Sequence, residues 1–65
     1  MTFRDKVIKV LRKRVKPLKG TEDGDRINRT LLDLLALQPN APRTFVLERL
    51  ESMSTLQFIG DPNEL

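Results

Sequence analysis

Basic side chains recur every three or four residues near the start of the chain, and they are its best candidates for chemistry. They are Lys6, Lys9, Arg12, Lys13 and Lys16. Residues at this spacing lie on one face of an α-helix. Ammonium and guanidinium groups gathered on one face attract phosphate and carboxylate groups. The pattern therefore predicts an anion-binding surface.

The charge of the chain is distributed unevenly. Residues 1–20 contain eight Lys or Arg and one Asp, a net charge of +7, whereas residues 21–65 contain four Lys or Arg and eight Asp or Glu, a net charge of −4. Such asymmetry indicates an anionic partner, or two halves that face each other. Candidate acids for the second case, within the chain or on a second copy, are Glu22, Asp23, Glu48 and Glu51.

Several residue types that carry catalysis are missing. The chain has no His, Cys, Tyr or Trp, so the usual general bases, thiol nucleophiles and soft metal ligands are absent. The acidic run at residues 22–25 resembles part of a calcium loop. A loop of that type needs a bidentate Glu at its twelfth position, where counting from Asp23 reaches Leu34. We therefore expect no enzyme activity, no metal site and no cofactor.

The basic residues must be positioned by a helix over residues 2–16. Six apolar residues at helical spacing lie opposite the basic ones: Phe3, Val7, Ile8, Val10, Leu11 and Val15. Thr2 is the expected cap, and Pro17 should end the helix because it lacks an amide donor. Arg4 and Arg14 flank the apolar stripe, where we expect their stems to lie along it with their charges in water.

A second helix is predicted over residues 26–38. Glycines at positions 20 and 24 indicate a loop at 19–25, with Asp23 or Asp25 as the cap. Its apolar face is wide enough to contact neighbours on two sides. The residues expected inside are Ile27, Leu31, Leu34, Leu35 and Leu37, with Leu32 on the flank and Arg29, Asp33 and Ala36 exposed.

A third helix is predicted over residues 42–53, with Asn40 as its cap and Pro42 in its first turn. Its expected inward residues are Phe45, Val46, Leu50 and Met53. The tail, residues 54–65, fits either a short extended segment at 55–59 or a continuation of the third helix, followed by a turn and a frayed end. The fold class expected is therefore all-α: one compact three-helix domain over residues 1–65 with a short C-terminal extension.

The location expected is cytoplasmic. The longest apolar run, residues 34–37, is far shorter than the roughly 20 residues that a membrane-spanning helix needs. The basic N-terminal segment is not followed by the apolar run of a signal peptide. The absence of cysteine fits a reducing compartment. A small domain without disulfides often relies on self-association, so a homodimer is an open alternative.

Nucleic acid is the leading partner for the basic face, bound through its backbone largely without sequence preference, because phosphate contacts position a protein without reading bases. An adaptor or self-associating domain that docks on an acidic protein surface is the alternative. A membrane surface is less suitable, because the apolar stripe is needed for the core. A further alternative is a solvated face that binds nothing in particular, as most runs of charged residues are. A helix-turn-helix is disfavoured, because Arg43 and Arg49 on the third helix are offset by Glu48 and Glu51.

Overall fold

The computed structural model describes residues 1–65 and begins with a helix, α1, at Phe3–Val15. The Thr2 hydroxyl oxygen accepts a hydrogen bond from the amide of Asp5 at 3.2 Å and so caps the helix. Asp5 in the first turn and three basic residues in the last turn complement the helix dipole. At Pro17 the α-helix gives way to a short 3₁₀ turn, Lys16–Leu18, because proline cannot donate the next hydrogen bond.

The second helix, α2, spans Glu22–Ala36 and begins four residues before the predicted start. Its cap is Thr21 and neither Asp23 nor Asp25, because the Thr21 hydroxyl oxygen accepts a hydrogen bond from the amide of Gly24 at 3.0 Å. The same hydroxyl donates to the carbonyl oxygen of Leu18 at 2.6 Å. The acidic run lies in the first turn, where it favours the positive end of the helix dipole.

Gly24 explains why a loop was expected where the helix begins. A glycine among capping residues indicates a loop, yet this one lies within α2 and is buried. A Cβ atom at position 24 would overlap with the carbonyl oxygen of Leu18. The glycine therefore permits a close approach between the start of α2 and the turn that follows α1.

The third helix, α3, spans Arg43–Ser52 and is preceded by Pro42 at the capping position. No side chain caps it, so Asn40 does not have the role expected from its type. At its other end the amide of Thr55 donates to the Leu50 carbonyl and the amide of Ser54 to the Glu51 carbonyl. This is a Schellman motif, and it places Ser54 at φ 58°, a position that glycine usually occupies.

The tail is neither extended at 55–59 nor a continuation of α3. It forms two short 3₁₀ turns, Leu56–Ile59 and Pro62–Glu64. The buried hydroxyl of Thr55 lies 3.1 Å from that of Thr30 on α2 and 3.4 Å from the Leu50 carbonyl, which fixes the start of the first turn. An extended segment here would lack a strand to pair with, because no strand is present in the chain. Leu65 packs against the core, so the end is not frayed.

One apolar core joins the three helices and the tail. Its buried members are Val7, Ile8, Leu11, Ile27, Leu34, Val46, Leu50 and Ile59. Some apolar residues predicted to face inward do not. Phe45 is 53% exposed, because it lies about 100° around α3 from the buried Val46. Leu35 is 48% exposed, because it lies at the edge of the contact between α2 and α1 and α1 covers it only in part. The predicted all-α class is confirmed.

Candidate functional site

Two rows of side chains from α1 and the first residue of the turn that follows it form the candidate site. Residues four apart along the helix make one row of Arg4, Ile8, Arg12 and Lys16 and a second row of Asp5, Lys9 and Lys13. These rows line a shallow depression of about 470 Å³, together with Met1 and with Leu35 of α2. The structure therefore brings together four of the five predicted cations: Lys9, Arg12, Lys13 and Lys16.

The fifth predicted cation, Lys6, lies apart from the depression. It occupies the next row around α1, and its side chain is only partly exposed. Its ammonium nitrogen donates to the carbonyl oxygen of Leu65 at 3.4 Å. Lys6 thus borders the basic face on the side where the tail packs against α1.

The four cations in the depression are exposed and have no ionic partner in the chain. Three ion pairs exist, and they join Arg4 with Asp5, Arg26 with Asp23, and Arg49 with Asp33. None of them involves the four cations. The only carboxylate in the depression belongs to Asp5, which the Arg4 guanidinium already contacts at 3.2 Å. The depression therefore presents an uncompensated positive charge to the solvent.

Arg4 is an exception to the expectation that the flanking arginines keep their charges in water. Its side chain is only 13% exposed. One guanidinium nitrogen donates to the Leu37 carbonyl oxygen at 2.8 Å, just past the end of α2, and another reaches Asp5. The Nε atom is buried without a hydrogen-bond partner. Arg4 joins α1 to the negative end of α2 and adds positive charge beneath the depression.

The acidic half of the chain does not cover the basic half. Glu22, Glu48 and Glu51 are exposed and form no ion pair, and Asp23 pairs with Arg26 within α2. None of the four contacts a cation of the depression. The opposite charges of the two halves are therefore both available to other molecules.

The floor of the depression is apolar, which the charge pattern did not indicate. Ile8 is buried beneath the cations, and the half-exposed Leu35 closes one side. Arg4 and Ile8 could have been found from the sequence, since they share a four-residue row with Arg12. Leu35 could not, because it comes from another helix and its position depends on how α2 packs against α1.

Some other kinds of site have no counterpart in the structure. No group of three or more Asp or Glu side chains is placed to hold a metal ion. None of the helices combines the length and the apolar character needed to cross a membrane. Comparison of the chain with protein-family models, curated proteins and solved structures gives no match.

Proposed function

We propose that this protein is a non-catalytic interaction module of the cytoplasm whose basic α1 face binds the nucleic-acid backbone largely without sequence preference. Lys9, Arg12, Lys13 and Lys16 would contact phosphate groups, and Lys6 would add a fifth contact from the edge. The observation that carries the proposal is the group of four exposed cations without an ionic partner in the chain.

The energetics of α1 support an anionic partner. Like charges lie three or four residues apart in the pairs Lys9/Arg12, Lys9/Lys13, Arg12/Lys16 and Lys13/Lys16. Each such pair on an exposed helix costs about 0.2–0.5 kcal/mol. A phosphate backbone laid along the face would relieve this repulsion and release its own bound counterions.

The shape of the face favours a backbone contact over base recognition. From Lys9 to Lys16 the stripe is roughly 10 Å long, a length over which duplex DNA carries several phosphates. No aromatic side chain lines the depression. The ring centroid of Phe3 lies 4.7 Å from the guanidinium carbon of Arg43, Phe45 belongs to α3, and Phe58 packs against the core. Base stacking therefore has no platform here, and phosphate contacts alone carry no sequence information.

The salt dependence of binding tests the proposal. Four or five phosphate contacts predict that the logarithm of the association constant falls with the logarithm of salt concentration at a slope of about −3.5 to −4.5. Arg12→Gln should reduce the magnitude of the slope by about 0.9. Arg14→Gln is the matched control, because Arg14 is an exposed arginine of the same helix that lies outside the depression. A flat slope, or equal effects of the two variants, would show the proposal to be wrong.

The apolar floor favours a second candidate, an adaptor that docks on an acidic protein. Nucleic-acid backbone offers nothing apolar to the half-exposed Leu35, whereas an amphipathic acidic helix offers both apolar and carboxylate side chains. This candidate predicts that an acidic amphipathic peptide displaces duplex DNA. It also predicts that Leu35→Ser weakens the binding of the peptide and leaves the binding of duplex DNA unchanged. If Leu35→Ser leaves the affinity for the peptide unchanged, the second candidate fails.

A further inference from the structure

An apolar strip remains uncovered on the outer face of α2. Leu32 is 70% exposed, and Leu35 and Ala36 lie beside it in the open; these three residues are the outer strip. Ala36 borders two shallow depressions, one shared with Leu32 and Met53 and the other with the half-exposed Phe45. A small monomer seldom leaves neighbouring large apolar side chains exposed without a partner.

The charges beside the outer strip are arranged for self-recognition. Arg29 and Asp33 lie one turn apart on the same flank of Leu32, and both line the depression that Leu32 borders. When two copies of a helix pair antiparallel about a two-fold axis, each flank meets the same flank of the other copy in reversed order. Arg29 of each copy would then lie opposite Asp33 of the other.

The same pairing also matches the apolar residues and the helix ends. With the axis between Arg29 and Asp33, the two Leu32 side chains lie about 3 Å apart along the helix direction and so pack against each other. Asp25, further towards the N-terminus, would face the end of the other α2, where Arg4 binds the Leu37 carbonyl oxygen. Antiparallel helix dipoles add a favourable contribution.

We propose that the outer strip of α2 is a homodimer interface, in which two α2 helices pair antiparallel with Leu32 at the two-fold axis and reciprocal Arg29–Asp33 ion pairs beside it. We assign a second copy as the partner because Arg29 and Asp33, beside the strip, would each lie opposite a residue of the other sign in an antiparallel pair. Asp33 already meets Arg49 at 3.4 Å, but the contact uses only one carboxylate oxygen and the Asp33 side chain is 32% exposed, so the other oxygen can accept from a second guanidinium.

The dimer would place the basic depressions of both copies on the same face of the dimer. Leu35 marks the flank of α2 that borders α1, and the two-fold axis brings this flank of both copies to the same side. This consequence rests on the proposed function. It predicts that the salt slope for a dimer on a long duplex is about −7 to −9, twice that for a monomer.

Sedimentation equilibrium without nucleic acid tests the interface itself. The wild-type protein should form a dimer between micromolar and millimolar concentration, and Leu32→Ser should remain a monomer over this range. The serine substitution at an exposed position should leave the helical circular dichroism unchanged. Gln57→Ser, an exposed position in the tail, is the control that should dimerise like the wild type. A wild-type protein that stays monomeric at millimolar concentration overturns the inference, as does a Leu32→Ser variant that dimerises normally.

Charge reversal tests the pairing in detail. Arg29→Asp and Asp33→Arg should each weaken the homodimer by about tenfold, because both reciprocal ion pairs become like-charge contacts. An equimolar mixture of the two variants should recover the affinity as a heterodimer, and so should the double variant. Absence of recovery overturns the antiparallel pairing. If the protein dimerises but binds no nucleic acid, the interface stands and the proposed function fails.

Discussion

Gly24 and Arg4 are single residues whose roles come from contacts with a neighbouring element of the fold. Position 24 of α2 requires a glycine, because a side chain there would overlap with the Leu18 carbonyl oxygen. Arg4 resembles Arg12 in type and lies in the same row of α1, yet its guanidinium is bound to the end of α2 whereas that of Arg12 is free. Residue type alone does not separate an arginine engaged within the fold from one that is left free.

Gly24→Ala should destabilise the protein by about 1–3 kcal/mol, because the new methyl group forces α2 away from Leu18. Helix propensity alone predicts the opposite sign, a gain of up to about 1 kcal/mol. Urea unfolding measures the difference. Asn28→Ala, an exposed substitution in the same helix, is the control and should be neutral or slightly stabilising. A Gly24→Ala variant at least as stable as the wild type would contradict the close approach.

At the scale of the element, core packing stabilises the inner side of α1, whereas repulsion between like charges destabilises its outer side. Val7 and Leu11 are completely buried, so the helix is held by the core. Its outer side gathers like charges that the rest of the chain leaves unneutralised. A helix fixed by burial can retain such repulsion, and the repulsion then favours binding of an anion.

Lys9→Gln should stabilise the protein by about 0.5 kcal/mol at low ionic strength, because it removes repulsion with Lys6, Arg12 and Lys13 and loses only the attraction to Asp5. The gain should disappear at about 1 M salt, where charges are screened within roughly 3 Å. Thermal unfolding of the variant and the wild type, at low ionic strength and at about 1 M salt, measures this gain in stability. Arg14→Gln has no basic neighbour three or four residues away within α1 and should give no gain. An equal gain from both variants would show that the repulsion is not local to the stripe.

At the scale of the whole molecule, the tail is part of the fold. Ile59 is 4% exposed and belongs to the same core as the helices, and the tail's first turn packs against α1 and α3. The buried contact between Thr30 and Thr55 links the tail to α2. A chain of 65 residues buries a small core, so each of these contacts is a large share of its stability.

Ile59→Val should lower the free energy of unfolding by about 0.5–1.5 kcal/mol and Ile59→Ala by about 2–5 kcal/mol, because both leave a cavity in the core. Urea unfolding should give a single transition for the valine variant, with an unchanged slope. Gln57→Ala, on the exposed side of the same turn, should have little effect. Small effects of both Ile59 substitutions would indicate that the tail is dispensable.

The sequence by itself determined the all-α class, the position of α1 and the concentration of cations on its outer face. These follow from local rules, because the spacing of apolar and charged residues and a proline break act within a few residues. The tail had no such pattern. Ser54 adopts a left-handed conformation that the sequence usually signals with a glycine, and the Thr30–Thr55 contact joins residues 25 positions apart.

The tertiary structure alone decided which cations stay free, where α2 begins and which apolar residues stay uncovered. Arg4 and Lys6 are engaged by the ends of α2 and of the tail, whereas Lys9 and Arg12 are not. Leu32 is exposed although its type favours burial. Helical periodicity gives the direction of a side chain around its own axis, but only packing against other elements shows what lies in that direction.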